Sequence, residues 1–132
     1  MFAGVHRRGV VHKDVNPANI LDADQPYLID FELATVFAEE RPGFGHHSMI
    51  AGTAAYLAPE QTGRTRWPVD ARTDLYGAGA TLYEAATGQP LFGTGDLARL
   101  VHDHLARVPV SPVELRPEVP DGLARIILRL LE

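Results

Sequence analysis

His12-Lys13-Asp14-Val15-Asn16-Pro17-Ala18-Asn19 sets a carboxylate five residues ahead of a carboxamide, with an Asn-Pro turn between them. Short apolar runs, Val10-Val11 and Ile20-Leu21, flank it. The octapeptide therefore reads as a turn between two strands, with Asp14 and Asn19 facing one cleft. A third strand, Tyr27-Leu28-Ile29, follows the turn Asp22-Ala23-Asp24-Gln25-Pro26 and delivers Asp30. A single Asp or Asn in a turn is more often a backbone cap than a ligand, but their joint spacing points to chemistry. Two carboxylates and a carboxamide are hard oxygen donors of the kind that hold Mg²⁺, as a phosphoryl-transfer site requires.

Downstream, residues 35–53 lose periodicity and carry Pro42, Gly43, Gly45 and the pair His46-His47, which predicts a long surface loop. From Asp70 to Thr87 the period becomes helical, with Leu75, Ala78, Leu82 and Ala86 three or four apart and Tyr76, Gly79 and Tyr83 widening the apolar surface. A mostly buried helix is expected, and Gly77 and Gly79 within it imply close backbone packing. Leu97, Leu100, Val101 and Leu105 make a second helix with Asp96 as N-cap. A connection holding Pro109, Pro112, Pro117 and Pro120 then leads to Leu123, Ile126, Ile127, Leu130 and Leu131, a third helix for which Asp121 is the expected cap. No helix terminator precedes the end at Glu132 and no lead-in precedes the first strand, so both ends read as cut.

At 132 residues, 45% hydrophobic and 22% charged, the chain has the composition of one globular unit, residues 1–132. The net charge is −5, and no run of Lys or Arg exceeds Arg7-Arg8, which argues against nucleic-acid and anionic-membrane partners. Without cysteine there is neither a disulfide nor a thiolate metal site. That, with no export signal at the start and no apolar run long enough to span a bilayer, leads us to expect a cytoplasmic protein. His46-His47 and the group His102-Asp103-His104 lack the further ligands of a metal site and are read as surface or packing histidines.

His12-Lys13-Asp14…Asn19, Asp30-Phe31-Glu32 and Ala58-Pro59-Glu60 resemble, in order, the His-Arg-Asp…Asn, Asp-Phe-Gly and Ala-Pro-Glu motifs of protein kinases. Residues 52–60 also resemble the substrate-docking stretch of the serine/threonine type, and residues 74–79 its buried central helix. The wording of residues 6–21, 59–63 and 102–106 is most similar to bacterial multidomain kinases that carry ATPase and sensor modules. The resemblance implies an α+β, mainly α fold: a kinase C-lobe with a small sheet of short strands and a buried central helix. It implies an ATP-dependent serine/threonine protein kinase acting on a protein substrate. Asp14 would accept the substrate's hydroxyl proton, and Thr53 would contact Asp14 and that hydroxyl. Asn19 and Asp30 would bind the cofactor by holding Mg²⁺ on ATP. Asp74 would brace the catalytic loop, and Ser48 would be a phosphorylation site paired with Lys13.

These 132 residues hold no glycine-rich phosphate loop, no strand lysine and no helix glutamate, so the family's N-lobe is absent from them. Partners are accordingly expected to include a missing N-terminal lobe or downstream signalling modules. Glu32 replaces a glycine, Asn16 replaces a phosphate-contacting lysine, and Glu60 is expected to lack its arginine. The competing readings are a non-catalytic, pseudokinase-like binding module or gene remnant and a small-molecule phosphotransferase. The latter is disfavoured by residues 52–60, which such enzymes do not need.

Overall fold

Apolar dipeptides set off by turns make small elements at the start of the chain, and helical periodicity makes larger ones after them. The computed structural model describes residues 2–22, 24–36, 53–93 and 95–132. In chain order, helix α1 is Phe2–His6, and strands β1, β2, β3 and β4 are Val10–Val11, Ile20–Leu21, Tyr27–Leu28 and Thr35–Val36. Helices α2, α3, α4 and α5 are Ala71–Thr87, Leu97–Ala106, Pro112–Leu115 and Asp121–Leu130. Among the described residues the 3-10 turn Pro17–Asn19 lies between β1 and β2, and the turns Thr53–Tyr56 and Pro59–Thr62 precede α2. The fold is α+β and mainly α, as expected. Among the described residues no helix is long and apolar enough to cross a membrane.

The strands form two antiparallel pairs rather than one small sheet, β1 with β4 and β2 with β3. In the first pair Val10 faces Val36 and Val11 faces Thr35. In the second Ile20 faces Leu28 and Leu21 faces Tyr27. Three elements depart from the sequence reading, among them α4, which lies in the stretch expected to be a plain connection. Thr35–Val36, expected in a loop, is a strand because its backbone meets β1 some 25 residues earlier, a non-local pairing that leaves no local periodicity. α1 has five residues, none of them buried, and too few turns for a hydrophobic stripe.

The core lies where α2 meets α5. Ala58, Tyr76, Ala80, Tyr83, Leu91 and Ile127 form its buried cluster, with Tyr56, Ala86, Phe92 and Leu131 packed against it. Asp70 caps α2 by accepting from Arg72 N–H at 2.8 Å, and Gly88, at φ 78°, ends it by donating to the Glu84 carbonyl. The buried face of α2 differs from the periodic one. Leu75 and Leu82 are 36% and 41% exposed, whereas Tyr76, Ala78, Gly79, Ala80 and Tyr83 are buried. Neighbours approach α2 so closely on the inner side that small residues occupy it, and the leucines are left outside. At the start of α5, Pro120 takes the cap position without a side-chain bond, and the expected cap Asp121 falls inside the first turn, where its charge favours the helix dipole. Asp96 caps α3 as expected, accepting from Arg99 N–H at 3.1 Å.

Gly77 and Gly79 have the close neighbours their presence implied. A Cβ at Gly77 would stand 2.9 Å from the Val15 carbonyl oxygen, and one at Gly79 would stand 2.9 Å from the Leu130 Cβ. Gly77→Ala therefore drives a methyl into the backbone that follows Asp14, and should cost about 1–3 kcal/mol despite the better helix propensity of alanine. Gly122→Ala, which meets nothing within 4 Å, is the control and should stabilise slightly. Thermal denaturation of the two variants checks this.

His104 of α3 is buried, with Nδ1 2.8 Å from the Tyr76 hydroxyl and the ring edge-on to Tyr76 and Phe92. Burial pushes its pKa down to about 4, against the opposing pull of the Ala54 and Ala55 backbone and of Asp103. Since the folded value lies below the unfolded one, the stability tied to this ring is complete above about pH 6.5 and is lost as pH falls toward 4. The loss should reach roughly 3 kcal/mol. His104→Gln should flatten that part of the melting-temperature profile between pH 7 and 4.

Candidate active site

Two residues other than glycine have positive φ among the described residues: Lys13 at 67° and Asp30 at 59°. One precedes Asp14 and the other is itself a predicted ligand. Such backbone is costly for a side-chain-bearing residue and persists only where surroundings over-determine it. For Lys13 they do. Its N–H donates to Asp74 Oδ1 at 2.8 Å, and its carbonyl accepts from Gln61 Nε2 at 2.7 Å.

Asp74, 1% exposed in the first turn of α2, is the anchor of this loop. Its Oδ2 accepts from His12 N–H at 2.9 Å and from His6 Nε2 at 2.8 Å. Three hydrogen bonds thus fix residues 12 and 13 across more than 45 residues of sequence, and His6 braces the Asp74 carboxylate that accepts two of them. His12, fully buried, links the loop to the strand region. Asp14 N–H donates to its Nδ1 at 3.3 Å, which leaves the Nε2 proton for the Ile29 carbonyl at 3.0 Å. Phe31 packs edge-on against the same ring, with centroids 4.6 Å apart.

Asp14 projects from this support. Asn19 Nδ2 donates to Asp14 Oδ2 at 2.8 Å and to its carbonyl at 2.9 Å. Asn16 Nδ2 donates to Asp14 Oδ1 at 2.9 Å. Ile29 N–H donates to the Asn19 carbonyl at 2.9 Å, so Asp30 follows directly on the residue stitched to Asn19. Asp30 is exposed, and one of its carboxylate oxygens accepts from Glu32 N–H at 3.2 Å, closing the turn without the glycine the family pattern has at position 32. Asn19 spends its amide nitrogen on Asp14, which leaves its carboxamide oxygen as a hard donor. With the Asp30 carboxylate this set suits Mg²⁺. Among the described residues no group of three His, Cys, Asp or Glu side chains gathers as a self-sufficient metal site.

Thr53 and Asp14 line one small recess together with Lys13, Tyr56, Leu57, Gln61 and Thr73, although among the described residues no hydrogen bond joins Thr53 to Asp14. The Tyr56 hydroxyl donates to Glu84, and burial together with that carboxylate raises its pKa. Glu60, expected to lack the family's arginine, has a hydroxyl partner. It accepts from the Thr73 hydroxyl at 2.5 Å. The larger cavity, about 290 Å³, lies away from Asp14 beside Glu60, between Trp67, Leu75 and the last residues of α5. Ser48 and its pairing with Lys13, and His46-His47, fall outside the described residues.

Three contributors were not singled out in the sequence. Gln61 lay within a stretch noted only for its wording. His6 and Glu84 carry no local signal, because their partners, Asp74 and Tyr56, are 68 and 28 residues away.

The profile of the protein kinase domain matches residues 2–132. The DNA damage-responsive serine/threonine-protein kinase RqkA of Deinococcus radiodurans is 39% identical over 129 residues, 96% of this chain and 19% of that protein. The serine/threonine-protein kinase PkaA of Streptomyces coelicolor is 40% identical over 98% of this chain and 23% of its own length. The serine/threonine-protein kinase PknB of Mycolicibacterium smegmatis is 35% identical over 96% of this chain and 20% of its own. The chain thus spans about a fifth of the length of these relatives.

Proposed function

Because this chain belongs to the protein kinase domain family, we propose that residues 1–132 are part of a serine/threonine protein kinase domain and form its phosphoryl-transfer site on the acceptor side. The observation that carries this reading is the Asp14 carboxylate, held by two carboxamides on a loop anchored to buried Asp74 and facing the recess that Thr53 lines. Asp14 orients the hydroxyl of a protein Ser or Thr and accepts its proton as the oxygen attacks. Thr53 flanks that hydroxyl. Asn19 and Asp30 would hold Mg²⁺ through oxygen, which when bound would supply positive charge against the phosphates of ATP. The grip on the rest of the nucleotide comes from a lobe outside these residues, and protein partners beyond the substrate are that lobe and downstream signalling modules. The cysteine-free composition supports a cytoplasmic setting.

The test is transfer of radiolabelled γ-phosphate from ATP by the full-length polypeptide. Mg²⁺-dependent labelling of Ser or Thr peptides, abolished by chelation, is the expected result. Labelling of sugars or amino alcohols in place of peptides would reassign the reaction, and nucleotide binding without any transfer would make the domain a binding module.

A further inference from the structure

Position 16 holds asparagine where the family pattern has a lysine, and the structure gives this asparagine a task that a lysine cannot do. Asn16 is 5% exposed, and both ends of its carboxamide are engaged. Its Oδ1 accepts from Ala18 N–H at 2.9 Å and so caps the turn Pro17–Asn19. Its Nδ2 donates to Asp14 Oδ1 at 2.9 Å and to the Asp14 carbonyl at 3.2 Å. Asn19 takes the other carboxylate oxygen, Oδ2, at 2.8 Å.

Resting on the kinase reading above, we propose that Asn16 is a positioning residue that, as the second jaw of a carboxamide clamp with Asn19, fixes the rotation of the Asp14 carboxylate. One N–H on each oxygen stops the group turning about its terminal torsion, which is otherwise broad and soft. The carboxylate so held lines the recess that the substrate hydroxyl would enter. A lysine ammonium has no acceptor for the Ala18 N–H, so it cannot cap this turn and clamp Asp14 together. The chain gives up a mobile positive charge near the transferred phosphate and gains a fixed base, and the effect falls on kcat rather than on nucleotide affinity.

Two substitutions separate the clamp from the cap. Serine is a good N-cap but is too short to reach Asp14, whereas alanine does neither. In the full-length polypeptide, Asn16→Ser should lower kcat about ten-fold, as for one hydrogen bond to a charged group, with the ATP KM within about two-fold and the melting temperature near wild type. Asn16→Ala should lose the same kcat and also stability. Equal kcat in Asn16→Ser and wild type, or kcat losses that follow stability alone, would overturn the proposal. A second readout does not need turnover: the side-chain amide NMR signals of both Asn16 and Asn19 should shift in Asp14→Ala, and an unmoved Asn16 signal counts against the clamp. Wild type without transfer would remove the kinase reading, and the amide signals would then decide the clamp by themselves.

Discussion

Asp14→Asn is expected to leave the protein folded and to lower kcat for peptide phosphorylation by roughly 10³-fold, within the range that a positioned general base supplies. The substitution keeps the volume of the side chain but removes the basic oxygen. It also turns an amide nitrogen toward one of two N–H donors, from Asn16 or Asn19, that a carboxylate satisfies on both sides. That mismatch should cost about 1 kcal/mol of stability, too little to unfold a domain. The ATP KM should change little, because the nucleotide is held by other groups. Steady-state kinetics beside a melting curve reads both effects. Activity retained within ten-fold would mean that Asp14 is not the base.

Asp74→Ala should have the largest effect on stability. It removes a buried carboxylate that accepts from the His12 and Lys13 backbone and from His6, whose side chain is 17% exposed. Alanine leaves these donors facing an apolar gap. Three donors lose their acceptor, and orphaned buried donors cost about 1–3 kcal/mol each, so a loss of roughly 3–5 kcal/mol is expected. Lys13 would then lose the N–H bond that helps to hold it at φ 67°, and the loop would relax even in molecules that remain folded. Urea denaturation measures the first effect, and faster amide exchange at His12 and Lys13 the second. A midpoint close to wild type would show that the loop stands without its anchor.

Much of the site was legible because its residues are close in sequence. Asp14, Asn16 and Asn19 lie on one turn, and the 3-10 geometry of Pro17–Asn19 follows from an Asn-Pro start with an Asn cap. Asp30 was placed by the short strand before it. The strands β1, β2 and β3 were marked by apolar pairs between turn residues, whereas β4 was not, because Thr35–Val36 becomes a strand only when β1 is beside it. On α2 the helical period gave the element and Tyr76, Ala78, Gly79 and Tyr83 of its buried side, but it also put Leu75 and Leu82 there, and these are exposed. Leucines ordinarily face inward, yet Val15 approaches Gly77 and Leu130 approaches Gly79 so closely that the inner side is lined by small residues.

The sequence by itself determined the order of the motifs and the helical half of the fold, since both are written in neighbouring residues. The tertiary structure alone decided how the catalytic loop is held. Asp74 and Gln61 reach Lys13 from separate parts of the chain, His6 reaches Asp74, and Thr73 reaches Glu60. No local spacing encodes those contacts, because hydrogen-bond partners in a folded chain are chosen by which elements pack together, and packing follows the burial of distant apolar surfaces.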